Sequence, residues 1–281
     1  MKFARFGDRD GSKVACVADS DGNWRDISSI AADIGPATLG SDAWSSLTAG
    51  AIAALPLHDP SAARKAPPMA QPRNIWCVGL NYSDHAAEAG LPVPSQPILF
   101  NKASGTYCGP NDNILLSPEM TKLDWEVELG IVIGKPAFRV SKEEAAQSIF
   151  GYVVVNDVSE RAWQMEREGQ WVKGKSFPNF CPCGPWLVTA DEVDAANLSM
   201  FLDVDGQRMQ GGSTSTMIFD PVTIVSYMSE FCRLEPGDLI CTGTPPGVGA
   251  GMSPQRWLKA GEVVTLGIDG LGDQRQEVVP L

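Results

Sequence analysis

The residues of this chain best suited to chemistry are carboxylates. The stretch Asp124-Trp125-Glu126-Val127-Glu128-Leu129-Gly130-Ile131-Val132-Ile133-Gly134 alternates acids with apolar residues. Alternation of period two is the signature of a β-strand with two different faces. Trp125, Val127, Leu129, Ile131 and Ile133 point one way, and Asp124, Glu126 and Glu128 the other. Same-face side chains stand about 7 Å apart, close enough for two carboxylates to converge on one cation. Like charges that near repel, and a hard divalent ion such as Mg²⁺, Mn²⁺ or Ca²⁺ removes the conflict through oxygen ligands. Some twenty residues on, Tyr152-Val153-Val154-Val155-Asn156-Asp157 reads as a buried strand ending on a further carboxylate. The plain alternative is a solvated acidic strand face. The pattern alone does not choose among Asp124, Glu126 and Glu128.

Three other groups of residues have chemical potential. His85 and Glu88 sit at i and i+3 in Ser83-Asp84-His85-Ala86-Ala87-Glu88-Ala89-Gly90, so they share a face of a short helix capped by Ser83 or Asp84 and closed by Gly90. A histidine beside a carboxylate holds one tautomer and can take a proton from water, although surface His–Glu pairs are also common. Lys173 and Lys175 fall in a loop, Trp171 to Phe177. Thr242-Gly243-Thr244-Pro245-Pro246-Gly247-Val248-Gly249 follows a short strand, and its backbone N–H groups could approach a small anion. It is not a phosphate-binding P-loop, because no Gly-Lys-Ser/Thr ends it. Cys181-Pro182-Cys183 lacks the Cys-x-x-Cys spacing and a second pair, so both are read as ordinary buried thiols.

The elements that position these residues are mostly strands. Residues 1–70 read as a small N-terminal unit, with a hairpin at Lys2 to Val17 and short helices at Ser28–Ile34 and Asp42–Leu55. A Pro- and Ala-rich linker carrying His58 leads to a main domain, 71–281, opening on the strand Asn74 to Gly79. Further strands are expected at Pro97–Lys102 and in hairpins around Asp205-Gly206 and from Val263 to Val279. Helices are expected over Ser159–Arg167 and after Asp220-Pro221, where Asp caps and Pro takes the first turn. The class is α+β, mostly β.

With 281 residues the chain can bury a sizeable core. Its net charge of −12 and lack of Lys/Arg clusters argue against nucleic acid or an anionic membrane as partner. Seven scattered cysteines and no signal-peptide pattern point to a reducing cytoplasm. No apolar run reaches the roughly 18 residues of a membrane span.

Taken in order, these pieces resemble the fumarylacetoacetate hydrolase family. The matching residues are Asn81-Tyr82, His85 and Glu88; Glu126-x-Glu128; Asp157 with Arg161 and Gln164; Lys175-Ser176; and Thr242-Gly243-Thr244-Pro245-x-Gly247-Val248-Gly249. The resemblance covers about residues 74 to 279. It implies a homodimeric β-roll fold around Mg²⁺ or Mn²⁺, with Glu126, Glu128 and Asp157 as metal ligands and Asp124 in a supporting place. It implies that His85 and Glu88 activate water on a lid helix, that Lys175 stabilises negative charge or shuttles a proton, and that Arg161, Gln164 and Thr244 hold the substrate.

The implied reaction is hydrolysis of the C3–C4 bond of a 2,4-diketo acid to pyruvate and a carboxylic acid. The strand Leu123 to Glu128 and Trp171 to Lys175 are similar to the bacterial branch acting on 2,4-diketo-3-deoxy sugar acids, such as the rhamnonate and fuconate derivatives. Phe177 to Cys183 departs from that branch, so a place beside the pocket would alter the tail it accepts. The rival within the family is decarboxylation of an oxaloacetate-like acid, or hydration or isomerisation of an enol. The rival outside it is a non-catalytic protein with a structural cation.

Overall fold

The computed structural model describes residues 1–281 except Ala89 and Leu91. The acidic stretch lies at the centre of the larger sheet. Its strand runs Val127–Ile133 and pairs antiparallel with Ile149–Asn156 on one side and Leu239–Cys241 on the other. Leu239–Cys241 continues the sheet in parallel with Ile75–Gly79, which pairs antiparallel with Ile98–Lys102. Beyond Ile149–Asn156 come Leu187–Thr189 and then the N-terminal strands Lys2–Phe6, Val14–Ala18, Trp24–Asp26 and Leu57–His58. The N-terminal strands therefore extend the same sheet that carries the acids.

Both faces of the central strand are covered, as neighbours on either side of a sheet demand. Trp125, Val127, Leu129, Ile131 and Ile133 pack into a core that includes Tyr152, Val154, Ile224 and Met228. Val132, Val153, Val155 and Leu239 face the opposite way, into a second core shared with Phe3, Val17, Ile27 and Trp44 from the N-terminal residues. The solvated-face reading of the acids is thereby overturned: Asp124, Glu126, Glu128 and Asp157 are all buried. A second sheet of five strands holds the hairpin Ser199–Val204/Gln207–Ser213 and the closing pair Val263–Ile268/Gly272–Pro280. The Asp205-Gly206 turn forms as expected, with both residues at positive φ (50° and 76°).

The helix Pro221–Ser229 begins where Asp220 accepts from the Thr223 N–H. Three helices differ from expectation. Asp42–Leu55 is two short pieces, a 3₁₀ turn over Asp42–Ser46 and a helix over Ala49–Ala54. Ser28–Ile34 is a series of turns, and Ser159–Glu160 is a short strand before the helix Arg161–Met165. The anticipated loop around Lys175 is a one-turn helix, Val172–Lys175. Among the described residues no helix is long and apolar enough to cross a membrane. All seven cysteines are free thiols, and burial drives the Cys183 thiol well above its usual range.

Candidate active site

Strand register brings the carboxylates together. Val127 lies opposite Asn156, so the next pair outward sets Glu126 beside Asp157, whose N–H donates to the Glu126 carbonyl at 2.9 Å. Oxygens of Glu126, Glu128 and Asp157 all lie within 4.8 Å of one another. Each carboxylate is held differently. Glu126 accepts from Arg161 Nη2 and Lys175 Nζ, both at 2.6 Å. Asp157 accepts from Lys175 Nζ at 2.7 Å and from Lys102 Nζ. Among the described residues Glu128 has only the backbone N–H of Gly243, at 2.8 Å, and that glycine is at φ +95°, where a side chain would be strained.

The consequence is electrostatic asymmetry. Burial works to raise Glu126, but Arg161 and Lys175 carry its pKa down to about 2. Burial, with Asp157 and Glu126 nearby, pushes Glu128 well above the usual carboxylate range. Against the effect of burial, Asp157 and Glu126 raise Lys175, and Glu126 and Asp124 raise Arg161. Four buried carboxylates thus face three cations, Lys102, Arg161 and Lys175, and the uncompensated one is Glu128. Three convergent oxygen donors, one of them without a cation partner, fit a hard divalent ion.

Eight of the nine residues singled out from the sequence line one cavity of about 450 Å³: His85, Glu88, Glu126, Glu128, Arg161, Gln164, Lys175 and Thr244. Asp157 stands directly behind, bonded to Lys175. His85 Nδ1 and Glu88 Oε2 are 2.9 Å apart on the helix Ser83–Glu88. Gln164 Oε1 accepts from Arg161 Nη1 at 3.0 Å, which turns its amide N–H₂ free of that pair. The Thr244 hydroxyl is engaged inside the protein: it donates to the Val127 carbonyl and accepts from Gln210 Nε2, both at 2.8 Å. Val78, Leu80, Ile98, Phe100, Met165 and Trp171 supply an apolar wall. Phe177 to Cys183 is absent from the lining; Pro178 is exposed, and Asn179 to Cys183 is buried, Phe180 within the larger core.

One contributor escaped the sequence reading, and a second holds the supporting place that the resemblance implied for it. Lys102 is buried and bonded to Asp157 and to the Val158 carbonyl. Its signal was strand parity, since Ile98, Phe100 and Lys102 share a face and the first two line the cavity. Asp124 turns out to anchor the glycine loop, accepting from the N–H groups of Gly249 at 2.7 Å and Ala250 at 3.1 Å and from Arg161 Nε at 2.8 Å.

A mostly-β α+β chain with this buried cluster, open to a cavity that also holds a His–Glu pair, has the makings of a hydrolase. It belongs to the fumarylacetoacetate hydrolase family, whose profile, described as fumarylacetoacetate (FAA) hydrolase C-terminal, matches residues 74–279. Among similar proteins, a 2,4-didehydro-3-deoxy-L-rhamnonate hydrolase from a Sphingomonas species is 49% identical over 280 residues, covering 99% of this chain and 96% of that one. A fumarylacetoacetate hydrolase structure from psychrophilic Exiguobacterium antarcticum aligns over 100% of both chains at TM-score 0.87 and 34% identity. A maleylpyruvate hydrolase from a Sphingobium species, in complex with manganese(II) and pyruvate, aligns over 100% of this chain and 99% of that one at TM-score 0.79 and 27% identity.

Proposed function

We propose that the protein hydrolyses the C3–C4 bond of a 2,4-diketo-3-deoxy sugar acid, such as L-2,4-diketo-3-deoxyrhamnonate, to pyruvate and a carboxylic acid such as lactate. The observation that carries the reading is the His85–Glu88 pair facing the same cavity as the acidic cluster. An activated water is needed for hydrolysis and not for decarboxylation. The 49% identical sugar-acid hydrolase supports the substrate class.

Glu126, Glu128 and Asp157 are the residues to hold Mg²⁺ or Mn²⁺. Bound there, the ion supplies Lewis-acid polarisation of the α-keto acid end and stabilises the enolate that leaves. Glu88 keeps the proton on His85 Nδ1, so Nε2 takes a proton from water as the water oxygen bonds to C4. Lys175 stabilises charge developing on the C4 oxygen. The C3–C4 bond then breaks, its electron pair stays on the pyruvate fragment, and the proton taken by His85 is returned to C3. Gln164 offers its amide N–H₂ to the substrate, while Arg161, bonded to Asp124, Glu126 and Gln164, fixes the others in place. Thr244 contributes through its backbone N–H, which has no hydrogen-bond partner among the described residues.

The catalytic part is residues 71–281, which hold every site residue, with 1–70 as an attached N-terminal unit and a homodimer as the assembly. The test is pyruvate release from a panel of 2,4-diketo acids and from oxaloacetate, with and without Mg²⁺. Release from the diketo acids, dependent on the ion, is the expected result. Turnover of oxaloacetate alone would replace hydrolysis by decarboxylation.

A further inference from the structure

Glu88 is held from two sides. Its Oε2 lies 2.9 Å from His85 Nδ1, and its Oε1 accepts from the Gly247 N–H at 2.9 Å. A carboxylate only accepts, so the ring proton is assigned to Nδ1 and the basic lone pair to Nε2. A third contact consists of space. A Cβ built on Gly251 would stand 2.8 Å from Glu88 Cδ and 2.9 Å from Oε2, and the three atoms nearest to it all belong to the Glu88 carboxyl group. Gly251 is not among the residues at positive φ, so its backbone does not demand glycine. Gly247 differs, with φ +102° and the Met209 carbonyl oxygen 2.0 Å from a Cβ.

The loop that carries these glycines is itself tied down. Asp124 takes the N–H groups of Gly249 and Ala250, and Trp125 Nε1 donates to the Gly247 carbonyl at 3.1 Å. Asp124 also receives Arg161, which in turn bonds Glu126. A continuous set of hydrogen bonds therefore runs from the carboxylate cluster through the loop to Glu88.

We propose that Gly251 is a positioning residue: the space left by its missing side chain, with the Gly247 N–H, seats the Glu88 carboxylate that orients His85. The inference rests on His85 acting as general base. Because Glu88 is the free end of a flexible side chain, a methyl group at 251 pushes it aside at little cost to the fold. The damage falls on the tautomer of His85.

The experiment compares wild type, Gly251→Ala, Glu88→Ala and the double variant. Its readouts are kcat and KM for acetylpyruvate, Mn²⁺ affinity by calorimetry, and the His85 tautomer from ¹⁵N imidazole shifts. Assignment is direct, since the chain has two histidines and His58→Gln removes one. Gly251→Ala should lower kcat about 10- to 100-fold, up to the lower end of what a general base contributes because His85 itself remains, and leave KM and Mn²⁺ affinity unchanged. The single His85 tautomer should be lost, and adding Gly251→Ala to Glu88→Ala should cost nothing more. A wild-type tautomer and kcat in Gly251→Ala overturns the proposal. So does a full additional loss on the Glu88→Ala background, or Mn²⁺ affinity falling together with kcat. If wild type releases no pyruvate from acetylpyruvate or any other 2,4-diketo acid of the panel, the hydrolase reading fails, and the tautomer comparison still decides how Glu88 is seated.

Discussion

Replacing Asp124 by asparagine keeps the shape of the side chain and removes its charge at the point where loop, guanidinium and acidic strand meet. Asp124 is fully buried. Its Oδ1 accepts from Gly249 N–H at 2.7 Å and Trp125 N–H at 2.9 Å, and its Oδ2 from Arg161 Nε at 2.8 Å and Ala250 N–H at 3.1 Å. An amide offers only one oxygen. With that oxygen kept toward Gly249 and Trp125, the new N–H₂ confronts Arg161 Nε–H and Ala250 N–H, donor against donor. Each orphaned donor costs about 1–3 kcal/mol, with the charged one near the top of that range. Breaking one side of a buried ion pair costs about 3–5 kcal/mol, and Arg161 offsets part of this through its bonds to Glu126 and Gln164. The net expectation for Asp124→Asn is about 3–4 kcal/mol of lost stability. Urea unfolding followed by tryptophan fluorescence measures it as a lower midpoint at unchanged slope. A loss below about 1 kcal/mol would refute the reasoning, because it would mean that the carboxylate charge contributes nothing the amide cannot replace.

The other side chains around the site give sharper contrasts. Lys102→Met takes one of two cations from the buried Asp157 and should destabilise the metal-free protein by about 3 kcal/mol, with Mn²⁺ restoring much of the melting temperature. An equal loss with and without Mn²⁺ would place the effect outside the cluster. Thr244→Val takes one of two acceptors from Gln210 Nε2, which keeps the Pro245 carbonyl, and the hydroxyl donor from the Val127 carbonyl, and should cost about 1–3 kcal/mol, whereas Thr244→Ser, which keeps the hydroxyl and the backbone N–H, should keep near-wild-type kcat and KM. A large rise in KM in the serine variant would give the methyl group a role in binding. His85→Ala should reduce pyruvate release by about 10²- to 10⁴-fold and leave Mn²⁺ affinity within about twofold. Wild-type turnover in that variant would remove His85 from the chemistry.

What the sequence made legible was periodic. The alternation from Asp124 to Ile133 placed a strand and a row of acids, and the hairpins and the Asp220-Pro221 helix start were read from local rules that the fold obeys. What local pattern could not show was the second neighbour of each strand. The acids looked solvated or shared because nothing in their own segment says that Leu239–Cys241 and Ile149–Asn156 flank them. Lys102 was hidden for the same reason, as its partner Asp157 lies 55 residues away. Thr244 shows the reverse failure. Its type and place suggested a hydroxyl for the substrate, and the fold had already used that hydroxyl on Val127 and Gln210.

The charge arrangement also sets an order of events. A chain with net charge −12 repels an anionic diketo acid at distance, and its cavity does not correct this by itself. Each cation close to the cluster is already bonded to a carboxylate, and the four acids outnumber Lys102, Arg161 and Lys175 by one, a mismatch met at Glu128, whose carboxyl is pushed toward its protonated form. A divalent ion held by Glu126, Glu128 and Asp157 would take the place of the Glu128 proton and leave the local sum net positive. The substrate carboxylate gains a favourable place only afterwards. Pyruvate, which carries the same α-keto acid group, should therefore give no measurable heat of binding in chelator and bind once Mn²⁺ is present. Linkage then requires pyruvate to raise the affinity for Mn²⁺ by the same factor. Equal pyruvate affinity with and without the ion would show that the cations of the chain suffice without a metal.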